Sequence, residues 1–325
     1  MKKRTITGLI LVACLLSILA LRFVSIYIFD AFIMAITICC IIEVVKAYKV
    51  GGNRTYLFAP IVFVVLSYIS ILYAVSDSLS LWETLFCIVS SFAVSVLLML
   101  SFGLLMYNKS KNEMASIVKE NPLNFEQKLK TDVLTYTLHK IVKSVQILLY
   151  PCLLLITLLA VNHLTEIKDL GISAQADLGF LAIISICAIT VFTDMFALFV
   201  GITVKGPKLC PRISPKKTIS GAIGGFLGGT LASIAVFYIF NSIPAYNFAF
   251  ANNLTVWSFV LLGTVGAVAS EIGDLVASVL KRKVGIKDYG TIFIGQGGFM
   301  DRLDSIMLNS AWVLIFFLVV INNFA

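Results

Sequence analysis

Charge is scarce in this chain of 325 residues: Asp, Glu, Lys and Arg together make up 13% of it, where an ordinary soluble protein carries about a quarter. So few charges do not cover the surface of a soluble body of this length, which excludes a soluble globular enzyme. The abundance of apolar residues excludes a disordered chain. Cysteine is limited to Cys14, Cys39, Cys40, Cys87, Cys152, Cys187 and Cys210. All but one fall in apolar runs and no Cys-x-x-Cys occurs, so they read as small hydrophobes rather than disulfide partners or zinc ligands. That excludes a secreted disulfide scaffold. Histidine occurs twice, as His139 and His163, each alone, which leaves no material for a His-based metal site or a Ser-His-Asp triad.

What is plentiful is apolar: hydrophobic residues are 59% of the chain and the mean hydropathy is +0.99. Windows of about 20 residues, the length that crosses a bilayer core, give about nine spans, near 6–29, 31–46, 55–75, 82–107, 141–161, 178–202, 218–242, 254–280 and 304–323. The expected fold is an all-α polytopic membrane protein, because lipid offers no partner to open backbone groups. Met1-Lys2-Lys3-Arg4 and the apolar run behind it imitate a signal peptide. The run is longer than a signal peptide's apolar core and lacks a clear cleavage site, so a retained first helix is expected. Little more than Asp30 separates the first two spans, which predicts a tight hairpin there. Two regions are expected: residues 1–140, with the N-terminal helices and a polar, Lys-rich loop at 108–140, and residues 141–325, the helices that carry the motifs below.

The formal net charge is +8, from 25 Lys and Arg against 17 Asp and Glu. With nine spans, every cation except Arg22 and Lys168 falls on one side. The opposite loops hold Asp30, Asp77, Glu83, Glu166, Asp169 and Asp177. By the positive-inside rule the basic side and the N-terminus are cytoplasmic and the C-terminus is outside.

Acids within spans are expensive and point to function. Four stand out: Glu43, Asp194, Glu271 and Asp274. Glu43 lies near a cytoplasmic helix end and is expected to snorkel. Glu271, Asp274, Ser278, Lys281 and Arg282 follow the helical step and share one face. The next stretch, 287–304, combines a Gly-rich loop, whose backbone amides can approach phosphate oxygens, with Asp301-Arg302-Leu303-Asp304. Two carboxylates three residues apart suit a divalent cation shared with substrate phosphates, and Arg302 suits phosphate. Lys281, Arg282, Lys283 and Lys287 add positive potential. A second basic loop contains Ser214-Pro215-Lys216-Lys217-Thr218, and its prolines imply a fixed shape. Glycines 221, 224, 225, 228 and 229 behind it read as a helix-packing face. Together these residues point to a phosphate-bearing substrate at one membrane face.

The pattern resembles the phosphatidate cytidylyltransferases, or CDP-diacylglycerol synthases. Ser278, Lys281-Arg282, Lys287-Asp288, Gly297-Gly298 and Asp301-Arg302-Leu303-Asp304 match the family signature in spacing. Gly273-Asp274-Leu275, Ser214-Pro215-Lys216-Lys217-Thr218 and Thr193-Asp194 match its upstream motifs. The signature thus covers 273–304 within motifs spanning roughly 190–305. Three departures stand out: Gln296 replaces the loop histidine, Ile294 the loop proline, and Ser220 a glutamate. The resemblance implies transfer of a cytidylyl group from CTP to phosphatidic acid, giving CDP-diacylglycerol and pyrophosphate, in a bacterial cytoplasmic membrane with the active site on the cytoplasmic face. It implies catalytic roles for Asp274, Asp301, Lys281, Arg282 and Arg302. Substrate contacts would come from Ser214, Lys216, Lys217, Ser278, Lys287, Gln296, Gly297 and Gly298. Mg2+ would be held by Asp274 and Asp301 with Asp304 and Asp288 in support, beside a monovalent cation such as K+. A homodimer and no nucleic-acid partner are expected. Two alternatives stay open: a paralogue that binds nucleotide or anionic lipid without turnover, and a transporter using Asp194, Glu271 and Asp274 as an ion path.

Overall fold

The computed structural model describes residues 13, 16–52, 55–76, 81–106, 112, 133–165, 176–246, 254–293 and 297–322. Among these, eight helices are long and apolar enough to cross a membrane. They are α1 (Ile26–Val50), α2 (Phe58–Ser76), α3 (Leu81–Leu105), α4 (Val133–Ile147 and Leu154–Asn162), α5 (Leu178–Thr203), α6 (Ile219–Asn241), α7 (Val256–Lys283) and α8 (Met300–Asn322). Of the first expected span, residues 6–12, 14 and 15 lie outside the described residues. Its described part is helical through residues 16–22 and turns at 23–25.

That turn corrects the expected break at Asp30. Asp30 lies inside α1 and is fully buried. Its charge is met by His163 Nε2 at 2.8 Å, the Asn162 amide at 2.8 Å and the Tyr68 hydroxyl at 3.1 Å. A buried carboxylate persists where its lone pairs are occupied. Arg22 is buried beside it, giving its Nε to Asn162 at 2.6 Å and pairing with Asp177. Burial acts to raise the Asp177 carboxyl, but Arg22 and the Phe180 amide outweigh it and hold the group below its ordinary range. A lowered carboxyl adds stability that is present above its unfolded pKa, about 3.9, and is lost as pH falls through the folded value. Arg22→Gln is therefore expected to lower the thermal midpoint at pH 7, read by unfolding in detergent across pH. The gap from the parent should narrow only as pH falls below about 4 and through the lowered Asp177 value, leaving the part due to the Asn162 contact.

α4 begins at Val133, earlier than expected, and breaks at Leu148–Leu153, where Tyr150 leaves helical geometry (φ −146°, ψ 109°) ahead of Pro151. Proline inside a helix removes a donor and crowds the preceding turn. In the C-terminal half, α6 packs against α5 and α7, and α7 against α8. The drive is not hydrophobic, because lipid is as apolar as the helices, so close backbone approach replaces it. The glycine face of α6 supplies that approach as expected. A Cβ built at Gly224 would stand 2.6 Å from Val200, and one at Gly228 would stand 2.5 Å from Phe196. Gly228→Val should therefore wedge α5 from α6 and cost about 1–3 kcal/mol, seen as a lowered thermal midpoint.

The remaining element is a β-hairpin between α5 and α6: β1 (Lys208–Cys210) pairs antiparallel with β2 (Ser214–Thr218), Lys208 opposite Thr218 and Cys210 opposite Ser214. Thr218 then caps α6, its hydroxyl accepting from the Gly221 amide at 3.1 Å. The fixed shape inferred from the loop prolines is this hairpin. It stands at the end of α5 away from Asp177, together with the end of α7 and the start of α8.

Candidate functional site

These elements enclose a cavity of about 560 Å³, within the range of small-molecule and cofactor sites. Six carboxylates line it, Asp194, Glu271, Asp274, Asp288, Asp301 and Asp304, with five cations, Lys208, Lys216, Lys217, Lys281 and Arg302. Leu198 and Ile202 of α5 line one wall and are also exposed on the apolar outside of the bundle. The cavity therefore joins a polar interior to a lipid-facing edge.

The charges are paired across elements. Lys217 of β2 reaches Asp274 of α7 at 2.8 Å, so the hairpin is tied to α7 through the cavity. Ser278, one turn along, donates to Asp274 at 3.4 Å. Lys281 on the same face gives its ammonium to Asp301 at 2.9 Å and stands 4.0 Å from Asp304. The backbones of α7 and α8 approach closely here, since a Cβ at Gly273 would overlap the Asp304 carbonyl. Asp301 has a second task. Its other oxygen accepts from the Tyr289 amide at 2.8 Å and the Gly298 amide at 3.0 Å, which folds the loop after α7 back onto α8. Gly297 takes φ 88°, a conformation that favours glycine. Tyr289 lies under the Lys281 ammonium, 5.7 Å from nitrogen to ring centre, and burial pushes its phenol above the ordinary value.

Of the residues singled out from sequence, Asp274, Asp288, Asp301, Asp304, Lys216, Lys217, Lys281 and Arg302 meet in the cavity. Ser278 is joined to it through Asp274. Arg282 faces elsewhere: it donates to the carbonyls of Ile213 at 3.4 Å and Ile286 at 3.3 Å, clipping the hairpin to the loop after α7. Ser214 is held in the hairpin register, and neither it nor Lys287 is among the cavity-lining residues. Gly298 gives its amide to Asp301. Gln296 and Ile294 lie outside the described residues. Ser220 donates to the carbonyl of Lys205 and so steadies the turn before β1. Lys208 joins the cavity without having been singled out; its only signal was its place in the basic loop.

Glu43 corrects an expectation outright. It does not snorkel. It is 6% exposed, and its carboxylate accepts from the backbone amides of Phe299 at 3.1 Å and Met300 at 2.9 Å at the start of α8.

Among the described residues no three His, Cys, Asp or Glu side chains form a closed metal cage. The oxygens present suit a hard cation that takes one or two carboxylates and completes its shell with water and phosphate. Glu271 lines the cavity, but its Oε1 is buried against Gly225 of α6 with no hydrogen-bond partner among the described residues.

The sequence matches the cytidylyltransferase family over residues 2–320. The phosphatidate cytidylyltransferase of Rickettsia conorii is 41% identical over 117 residues, 36% of this chain and 49% of that protein. That of Rickettsia bellii is 40% identical over 120 residues, 36% of this chain and 49% of that protein. The Brucella abortus enzyme of the same name is 37% identical over 138 residues, 42% of this chain and 47% of that protein. The aligned part thus spans about half the length of these curated relatives. The family match, in contrast, runs nearly end to end: this chain belongs to the cytidylyltransferase family.

Proposed function

We propose that the protein transfers the cytidylyl group of CTP to phosphatidic acid, forming CDP-diacylglycerol and releasing pyrophosphate. The observation that carries this is the cavity in which carboxylates and cations alternate beside a lipid-facing wall. Two anions must meet there, one of them anchored in the bilayer by its acyl chains. The cations Lys208, Lys216, Lys217 and Arg302 meet phosphate oxygens. Leu198 and Ile202 form the edge along which the lipid head group enters while its chains stay in the membrane.

An oxygen of the lipid phosphate attacks the α-phosphorus of CTP. A new P–O bond forms, the bond to the β-phosphate breaks, and pyrophosphate leaves with the electron pair. A phosphate monoester is already largely ionised near neutrality, so no side chain has to remove a proton. Among the described residues that line the cavity, none is histidine, which agrees. The protein's task is positioning and electrostatics, as in other phosphoryl-type transfers.

Magnesium, when bound, neutralises charge on the CTP phosphates. Asp274 and Asp304 are its first candidates as ligands, with Asp288 and Asp301 in support. Three of the roughly four lone-pair positions of a carboxylate are already taken in Asp301 by Lys281, Tyr289 and Gly298. The distribution of cations along the chain supports a cytoplasmic site, and the bacterial relatives support a bacterial cytoplasmic membrane.

The test is an assay of purified protein with CTP, magnesium and phosphatidic acid, following pyrophosphate and CDP-lipid. Both products in equal amounts are expected. Absence of product with every divalent cation overturns the proposal. CTP binding without product would then indicate a non-catalytic paralogue, and nucleotide-independent ion flux in proteoliposomes a transporter.

A further inference from the structure

We propose that Glu43 is a positioning residue for the cavity: from α1 it sets the start of α8, and with it the direction of Asp301, Arg302 and Asp304. The proposal rests on the activity assigned above for its turnover readout, and on geometry alone for its binding readout.

The first amides of a helix have no partner within it. At α8 two of them, Phe299 and Met300, are bonded by one carboxylate from a residue 256 and 257 positions earlier in the chain. A negative group at that place also suits the helix dipole. Around the carboxylate the chain is cut to fit. A Cβ at Gly298 or at Gly290 would overlap the Glu43 carboxylate itself, so the loop closes on Glu43 at two glycines. On its other side the same loop is held by Asp301 through Gly298 and Tyr289. The loop that leads into α8 is therefore clamped between two carboxylates. One of them, Asp301, is the partner of Lys281 inside the cavity. If Glu43 lets go, α8 loses the contact that fixes where its first turn starts, and the first five residues of that helix carry three cavity-lining charges. A displacement of about 1 Å at such a site is worth on the order of 10²-fold in rate.

Glu43→Gln keeps the size of the side chain but turns an amide donor toward one of two backbone donors. On purified full-length protein, kcat is expected to fall about 10- to 100-fold. KM for phosphatidic acid should stay within about threefold, as for an interaction realised in the transition state. Affinity for CTP with magnesium, measured by calorimetry, is expected to weaken about tenfold through Arg302, the equivalent of ~1.4 kcal/mol. Gly298→Ala, which drives a methyl into the same carboxylate, is expected to reproduce both changes. In the double variant the losses should fall well short of multiplying, because the two residues act through one contact.

Turnover and CTP affinity within about twofold of the parent in Glu43→Gln, or independent multiplication with Gly298→Ala, would overturn the proposal. Where Glu43→Gln does not yield folded protein, Gly298→Ala decides by the same two readouts. Should the parent show no turnover, the functional assignment fails by itself and the CTP affinities alone decide the role of Glu43.

Discussion

Replacing Asp301 by Asn is expected to cut CTP-dependent turnover by roughly 10²- to 10³-fold while leaving the protein inserted in the membrane. The side chain of Asp301 is 4% exposed and that of Lys281 is 11% exposed, so the pair is removed from water. Taking away one partner of a buried pair leaves an uncompensated charge and costs about 3–5 kcal/mol. The Asn amide must also face either the Lys281 ammonium or the two backbone amides of Tyr289 and Gly298, and each of those is a donor. The loop before α8 and the Lys281 ammonium therefore both lose their anchor. Adding Lys281→Met to Asp301→Asn tests the cause: with no orphan charge left, the thermal midpoint should recover toward the parent while turnover stays lost. Asp301→Asn with parental turnover would remove this residue from the site.

The helical spacing of Glu271, Asp274, Ser278 and Lys281 made the acidic and basic face of α7 legible in the sequence. The Asp301–Asp304 spacing did the same for α8, because charge in an apolar helix has few uses. The glycine face of α6 was legible for a similar reason, since small residues four apart have one common purpose in lipid. What escaped depends on partners that carry no residue-type signal. Glu43 bonds two main-chain amides, and any residue offers an amide. Asp30 looked like a loop marker because its compensation by His163, Asn162 and Tyr68 comes from distant helices. The true turn at 23–25 contains Phe, Val and Ser, with no glycine or proline to announce it. Arg282 was legible as a cation but not as a clip, since its acceptors are the carbonyls of Ile213 and Ile286.

Asp274→Asn is expected to lower turnover by about 10³-fold or more and to raise the magnesium concentration for half-maximal rate by more than about tenfold, since even outer-shell partners of a metal are worth about 10–100-fold in affinity. Asp274 differs from Asp301 in what holds it. One oxygen faces Lys217 at 2.8 Å and, among the described residues, the other receives only the 3.4 Å contact from Ser278, so lone pairs remain for a cation. Its side chain is 31% exposed, open to the cavity rather than sealed in the bundle. Asp304, across the close approach of α7 and α8 at Gly273, and Glu271, one helical turn away, line the same cavity as Lys216 and Lys217. Since Lys217 already touches Asp274, a phosphate that takes up this lysine would release the Asp274 oxygen to a cation. Lys217→Gln separates the two contributions. It should raise KM for CTP while the magnesium requirement stays near that of the parent, because it removes a phosphate contact and frees the Asp274 oxygen rather than removing it. If Asp274→Asn left the magnesium dependence unchanged and Lys217→Gln shifted it, the cation would have to be held elsewhere in the cavity, and Asp274 would serve only to orient the hairpin lysine.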